Sequence, residues 1–120
     1  MSHHLNLTHR IEVNDVLVIE LRVVKLCASN AHAFRQAMKA HIAIPRNIVL
    51  DIAGVQFIDS MGLGALLACL QKIKVLNGQL HLCELSQTVS HLFKLMRLHN
   101  TIKIYGTCAD AVQGFAVLQS

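Results

Sequence analysis

The chain has 120 residues, of which 53% are hydrophobic and 15% are charged. This length is typical of one domain, and this hydrophobicity excludes an intrinsically disordered protein. The net charge of +4 comes from scattered Lys and Arg residues rather than from a basic block, so the composition does not support direct binding to nucleic acid. We therefore predict a single domain over residues 1–120.

The sequence also predicts a cytoplasmic protein without a membrane span. Its longest apolar stretch, residues 63–76, is interrupted by Gln71, Lys72 and Lys74, so no run has the length that a bilayer-spanning helix needs. Residues 1–10 are polar and lack the apolar region of a secretion signal. The cysteines are far apart in apolar surroundings, which favours buried thiols over disulfides.

The first two strands are predicted as an antiparallel hairpin. Residues 7–13 and the β-branched run at residues 16–21 flank Asn14 and Asp15, which are residue types typical of turns. The sequence therefore begins with two adjacent strands.

A helix is predicted next. It begins at a cap formed by Ser29 or Asn30, runs towards His41 and ends before Pro45. Its inward face is predicted from apolar residues spaced four apart, namely Phe34, Met38 and Ile42.

The middle of the chain is predicted as a buried strand followed by the longest helix. The nearly continuous apolar run at residues 47–52 is typical of a central strand that is covered on both faces. After Asp59 a helix extends to Asn77 and Gly78, which occupy the C-cap position. The apolar residues at helical spacing are Leu63, Leu66, Leu67, Leu70 and Ile73.

Two further strand–helix pairs complete the prediction. Residues 79–83 form a strand and Ser86 caps the helix that follows, whereas residues 102–105 form the last strand and Thr107 caps the last helix. The predicted inward residues are Val89, Leu92, Phe93 and Met96 on the first of these helices, and Val112 and Phe115 on the second. The order β-β-α-β-α-β-α-β-α predicts an α/β fold with a mixed, mostly parallel sheet and about four helices.

Residues 57–64, Phe-Ile-Asp-Ser-Met-Gly-Leu-Gly, connect the central strand region to the long helix. Ser60 then lies near the first helical turn, where a phosphate would be stabilised by about 0.3–1 kcal/mol because N–H groups lack partners and the helix dipole is positive. Gly62 and Gly64 leave room for another molecule to approach the hydroxyl. A purely structural interpretation also stands: Asp59 and Ser60 form an ordinary N-cap, and the glycines allow close packing.

Further short motifs follow one another along the chain in a characteristic order and spacing. They are residues 48–51, 54–66, 77–78, 80–82, 85–89, 92–95, 98 and 111–112. On these residues the chain resembles the STAS family, and specifically its stand-alone anti-sigma factor antagonists. The resemblance implies the STAS fold and a bacterial regulator of transcription, neither an enzyme nor dependent on a cofactor or metal.

The resemblance also implies a phosphorylation site. In the family, the serine directly after the aspartate accepts the phosphate, and by motif position this residue is Ser60. The implied partner-binding segment comprises Asp59, Ser60, Met61, Gly62 and Gly64. The implied partners are an anti-sigma factor that is also a serine kinase, and a phosphatase that acts on Ser60. The protein itself is expected to be a monomer or a weak homodimer.

One position departs from the family pattern. Residues 26–31, Leu-Cys-Ala-Ser-Asn-Ala, resemble the family's Leu-Asp-Ala-Ser-Asn-Ala stretch, but Cys27 stands where an aspartate is usual. That aspartate lies near the switch segment in relatives. The substitution therefore bears on phosphorylation or partner binding rather than on the fold.

Two other binding roles remain open. Glycines at a strand-to-helix junction are also found where proteins bind nucleotides, although Gly62-Leu63-Gly64 lacks the GK[ST] ending of a P-loop. Alternatively, the chain is an accessory STAS subunit of a lipid-transport or stress-sensing complex.

Hydrolase and metal chemistry have weaker support. Ser60 lacks the GxSxG sequence around a hydrolase nucleophile. His81 and Cys83 are two residues apart, so they are expected to share one strand face as possible metal ligands. His91 and Cys69 are further candidate ligands, but the spacing of these residues matches no recognised zinc motif.

Overall fold

The computed structural model describes residues 5–44 and 46–118. The strands are β1 (Leu7–Ile11), β2 (Leu17–Leu21), β3 (Lys25–Leu26), β4 (Asn47–Asp51), β5 (Phe57–Ile58), β6 (Gln79–Cys83) and β7 (Lys103–Tyr105). The helices are α1 (Ala31–Lys39), α2 (Ser60–Val75), α3 (Gln87–Leu95) and α4 (Cys108–Leu118), with short 3-10 turns at Val13–Asp15 and Leu98–Asn100. Pro45 lies outside the described residues.

The main sheet has the strand order β1-β2-β4-β6-β7. β1 pairs with β2 in an antiparallel hairpin, and the other neighbouring strands pair in parallel. The predicted mixed, mostly parallel sheet with an initial hairpin is therefore confirmed.

β4 is buried on both faces, as its apolar run predicts. Ile48 and Leu50 belong to a core cluster with residues of α1, α2 and α3, whereas Val49 belongs to a second cluster with residues of α4. Because successive side chains of a strand point to opposite faces, the same alternation places Cys83 on the α4 side. The sheet thus separates a three-helix layer from a layer formed by α4.

A second, two-stranded sheet was missed by the sequence prediction. β3 and β5 pair in parallel, with Lys25 opposite Phe57 and Leu26 opposite Ile58. Strands of two residues are too short to show a period, so the sequence predicts only a connection at residues 57–58, where β5 lies. This ribbon holds the chain directly before α2 in place.

The boundaries of α2 follow the predicted end signals. Asn77 adopts the left-handed conformation, with φ of 64°, and its N–H donates to the carbonyl of Lys74 at 2.9 Å. The N–H of Gly78 donates to the carbonyl of Ile73, also at 2.9 Å, as expected for a helix that ends at an αL residue. Within residues 5–44 and 46–118, neither α2 nor another helix is long and apolar enough to cross a membrane.

The predicted caps of α3 and α4 are present. The N–H of Val89 donates to the hydroxyl of Ser86 at 3.2 Å, and the N–H of Asp110 donates to the hydroxyl of Thr107 at 3.1 Å. The inward position predicted for Met96 is wrong, because Met96 lies beyond the end of α3 and is 50% exposed.

The cap predicted for α1 is only partly correct. Asn30 occupies the N-cap position, but its side chain does not bond to the helix. Its Oδ1 instead accepts the N–H of Cys27 at 2.9 Å, which closes the turn after β3. α1 ends at Lys39, short of His41, and Ile42 is buried from the turn that follows.

Candidate functional site

Asp59 caps α2 and joins it to the turn after β3. Its Oδ1 accepts the N–H of Gly62 at 2.9 Å, and its Oδ2 accepts the N–H of Ala28 at 3.0 Å. The N–H of Gly62, with that of Ala28, stabilises the carboxylate and lowers the pKa of Asp59. The N-cap interpretation is confirmed for Asp59, which stays ionised at neutral pH.

Ser60 is the first residue of α2 and is exposed. It borders a surface pocket of about 350 Å³ that lies between α2 and α3. The other residues that line this pocket are Ile58, Asp59, Leu63, Gly64, Leu67, Leu92 and Met96. The Ser60 hydroxyl is therefore placed at the edge of a largely apolar surface.

Two more apolar side chains are exposed close to Ser60 in the chain. Phe57 is 49% exposed and Met61 is 60% exposed. Met96 of the pocket is exposed to a similar degree. An apolar surface beside polar residues is typical of protein–protein interaction sites, so the pocket beside Ser60 is suited to contact with another protein.

The two glycines of the segment have different roles. A Cβ at Gly62 would overlap the backbone carbonyl of Leu26, so its missing side chain lets α2 pack against β3. The prediction that Gly62 leaves room for a partner is wrong, because Gly62 is buried. Gly64 is exposed and a Cβ there would meet no atom within 4 Å, which agrees with access at that position.

The predicted phosphate stabilisation at the start of α2 also needs correction. That end of the helix already holds the carboxylate of Asp59, which takes up the N–H of Gly62. A phosphate on Ser60 would add roughly −1.5 to −2 charges beside this carboxylate. Repulsion from Asp59 therefore offsets the gain from the helix dipole, which is only about 0.3–1 kcal/mol at an exposed site.

Cys27 lies next to this segment. It directly precedes Ala28, whose N–H is bound by Asp59. The Cys27 sulfur lies 3.2 Å from the hydroxyl oxygen of Ser29, and hydrogen bonds from the Ser29 side chain and backbone lower the pKa of the thiol. Position 27 is thus part of the turn that Asp59 holds.

The metal ligands considered from the sequence do not come together. His81 and Cys83 share the α4 side of the sheet, as predicted, but His81 stacks on Phe115 with ring centroids 3.6 Å apart. Its Nδ1–H donates to the carbonyl of Ala111 at 2.9 Å. Cys69 is buried in the core on the opposite side of the sheet, and His91 is exposed on α3. That set of four residues therefore forms no metal site.

Solved structures share this architecture over nearly the whole chain. A protein from Thermotoga maritima, described as a candidate anti-sigma factor antagonist, is 27% identical, with a TM-score of 0.76 over 90% of this chain and 92% of that one. An anti-sigma factor antagonist from Mycobacterium paratuberculosis is also 27% identical, with a TM-score of 0.75 over 91% and 93% of the two chains. The fold is therefore that of anti-sigma factor antagonists.

The Bacillus antagonist SpoIIAA, in its unphosphorylated form, has the same fold. It is 20% identical to this chain, with a TM-score of 0.72 over 92% of this chain and 96% of SpoIIAA. The family model for the STAS domain matches residues 10–111, which is most of the sequence. The chain belongs to the STAS domain family.

The different surroundings of the two glycines predict opposite effects of alanine. Gly62→Ala should destabilise the fold by about 1–3 kcal/mol, because the added methyl group overlaps the carbonyl of Leu26. Gly64→Ala should leave stability unchanged or raise it by up to about 1 kcal/mol, since alanine favours a helix and has space there. Urea unfolding of the two variants measures both effects, and equal destabilisation would contradict the packing role of Gly62.

The lowered pKa of Asp59 predicts a pH dependence of stability. A carboxylate with a lowered folded-state pKa stabilises the fold above its unfolded pKa of about 3.9, and this contribution is lost as the pH falls through the folded-state value. Asp59→Asn keeps an oxygen acceptor for Gly62 but lacks the charge.

Urea unfolding from neutral pH down to acid pH tests this prediction. The stability of the wild type should fall more steeply than that of Asp59→Asn below about pH 5. Other carboxylates titrate in both proteins, so the difference between the two curves isolates Asp59. Parallel curves would show that the carboxylate gains nothing from its two N–H donors.

Proposed function

We propose that this chain is an anti-sigma factor antagonist that works by partner switching. Unmodified, it binds an anti-sigma factor that is also a serine kinase, and phosphorylation of Ser60 releases it. A phosphatase restores the binding form. The observation that carries this proposal is the exposed Ser60 at the first position of α2, beside an apolar pocket.

In this proposal the protein is a bacterial, cytoplasmic regulator of transcription and not an enzyme. Residues 1–120 form one STAS domain, which is a monomer or a weak homodimer. The partner contacts Asp59, Ser60, Met61 and Gly64, whereas the buried Gly62 acts by keeping α2 in place. The likeness to anti-sigma factor antagonists over nearly the whole chain supports this role.

The surface around Ser60 explains why one modification would control binding. A partner that covers the pocket lined by Leu63, Leu92 and Met96 also covers the hydroxyl at its edge. In the complex, phosphoserine would be removed from water next to the ionised Asp59. Burying a charge without a partner costs several kcal/mol, and each 1.4 kcal/mol weakens binding about tenfold. A loss of affinity of about a hundredfold or more follows.

The same modification leaves the fold intact. Ser60 is exposed, so the phosphate remains in water in the free protein. Substitutions at exposed positions usually change stability by no more than about 0.5 kcal/mol. The charge therefore acts on the complex rather than on the domain.

A nucleotide-binding role has less support. In that role the N–H groups at the start of α2 would bind phosphate, but the N–H of Gly62 is already bound by Asp59. The carboxylate would also repel the nucleotide. A place in a transport or stress-sensing complex stays a prediction, and in it the Ser60 surface would serve as the contact with the other subunits.

Phosphorylation is expected at Ser60 alone among the serines of this surface. After incubation with the cognate kinase and ATP, mass spectrometry should locate one phosphate on Ser60, and Ser60→Ala should remain unlabelled. Ser29→Ala is the matched control, because Ser29 is exposed and contacts Cys27 next to the same segment. Label that persists in Ser60→Ala would refute the assignment.

The charge mechanism predicts that Ser60→Asp and Ser60→Asn behave differently. The two side chains have almost the same size, but only aspartate adds a charge. Ser60→Asp should weaken binding to the kinase at least about tenfold, or 1.4 kcal/mol, beyond the effect of Ser60→Asn. Both should unfold within about 1 kcal/mol of the wild type.

Isothermal titration with the kinase measures the first quantity and urea unfolding the second. If the two variants bind equally, the size of the side chain rather than its charge controls the complex. If Ser60→Asp unfolds the protein, the claim that the added charge weakens the complex without destabilising the free domain is wrong.

A further inference from the structure

Three side chains with metal-binding groups meet on the α4 side of the main sheet. Asp51 and Cys83 end β4 and β6 and lie opposite each other in the strand register. Cys108 is the first residue of α4, which follows β7. A carboxylate oxygen of Asp51 and the two sulfur atoms all lie within 4.8 Å of one another.

We propose that Asp51, Cys83 and Cys108 bind one thiophilic divalent cation of the zinc class. Two sulfur ligands and one carboxylate oxygen are a donor set that zinc uses in proteins, whereas magnesium and calcium take oxygen ligands. Zinc–sulfur bonds of roughly 2.3 Å in a tetrahedral site place two sulfur ligands about 3.8 Å apart. The three side chains therefore need to close by only about 1 Å around an ion.

Metal binding releases the protons of the two thiols, and the divalent cation then offsets the negative charges of the carboxylate and the two thiolates.

Arg10, whose Nε is also paired with a carboxylate oxygen of Glu12, places a positive charge beside the cluster. Two thiolates and one carboxylate around a divalent cation leave a net charge of −1. The Nη2 of Arg10 donates to the sulfur of Cys108 at 3.3 Å. An N–H group that donates to a ligand atom is the kind of outer contact that orients metal ligands. Glu20 and Glu84 are the other charged groups that act on Asp51, and they also favour a cation.

Backbone contacts hold two of the ligands in position. The N–H of Cys108 donates to a carboxylate oxygen of Glu84 at 3.1 Å, which fixes the start of α4. Oδ1 of Asp51 accepts the N–H of Ala53 at 3.0 Å. Only small side-chain shifts remain to be made when an ion binds.

The cluster can be reached from solvent. Cys108 lines a surface pocket of about 250 Å³ together with Arg10, Glu12 and Val112. An ion can enter from this pocket, and a water molecule can supply the fourth ligand, as in zinc sites with three protein ligands. None of the three ligands lines the pocket beside Ser60, so the metal site does not depend on the proposed partner switch.

Metal titration of the full chain tests the proposal. The reduced, chelator-treated protein is titrated with Zn²⁺ against a chromophoric chelator, and separately with Co²⁺. One ion should bind per chain, and Co²⁺ should give the near-ultraviolet absorption of a cobalt–thiolate bond. Binding without this absorption, or no binding at all, would overturn the proposal.

Three variants locate the site. Cys108→Ser and Asp51→Asn should each weaken Zn²⁺ binding by at least about 100-fold, the upper range for losing an outer contact. Both residues are partly exposed, so neither change empties the core, and circular dichroism checks the fold. Cys27→Ser removes a thiol on another part of the chain and should bind Zn²⁺ like the wild type. Wild-type affinity in Cys108→Ser and Asp51→Asn would refute the assignment.

Discussion

The arrangement of the candidate site depends on one carboxylate. Asp59 accepts N–H groups from Gly62 in the first turn of α2 and from Ala28 in the turn after β3. These contacts fix the helix relative to the β3–β5 ribbon, and Gly62 allows the close approach by having no side chain. Ser60 lies between Asp59 and Gly62 in the chain and is exposed to solvent. The exposed hydroxyl is thus presented by the first residue of a helix whose start is held by hydrogen bonds and close packing.

The burial of β4 on both faces also supports the position of α2. Its alternating side chains pack on α2 on one face and on α4 on the other. The chain leaves β4 at Asp51, forms the short ribbon and enters α2 without crossing the sheet. The same strand therefore anchors the segment around Ser60 and the cluster of Asp51, Cys83 and Cys108, although these sites use different residues.

The parts of the fold that local chemistry specifies could be predicted from the sequence. Asn77 at the end of α2, and Ser86 and Thr107 at two helix starts, act on residues within one helical turn. The bond from Asp59 to Ala28 and the packing of Gly62 on the β3 backbone join residues far apart in sequence. No periodicity or spacing reveals such contacts. The cysteine cluster was missed for the same reason, since only parallel pairing brings strand ends together.

Cys27 changes the charge balance around Ser60. A carboxylate at position 27 would place a second acid next to the turn that Asp59 holds, whereas a thiol in its neutral form would add no charge there. A phosphate on Ser60 then meets only the repulsion of Asp59 from this turn, so the free phosphorylated domain is less disfavoured than it would be with two acids. The release of a partner depends on the difference between the phosphate's energy in the complex and in the free domain. Because residue 27 is present in a complex as well as in the free domain, a neutral side chain there lowers the repulsion on the phosphate in both states, and release under the proposed switch would then depend on Asp59 and on the loss of water at the interface.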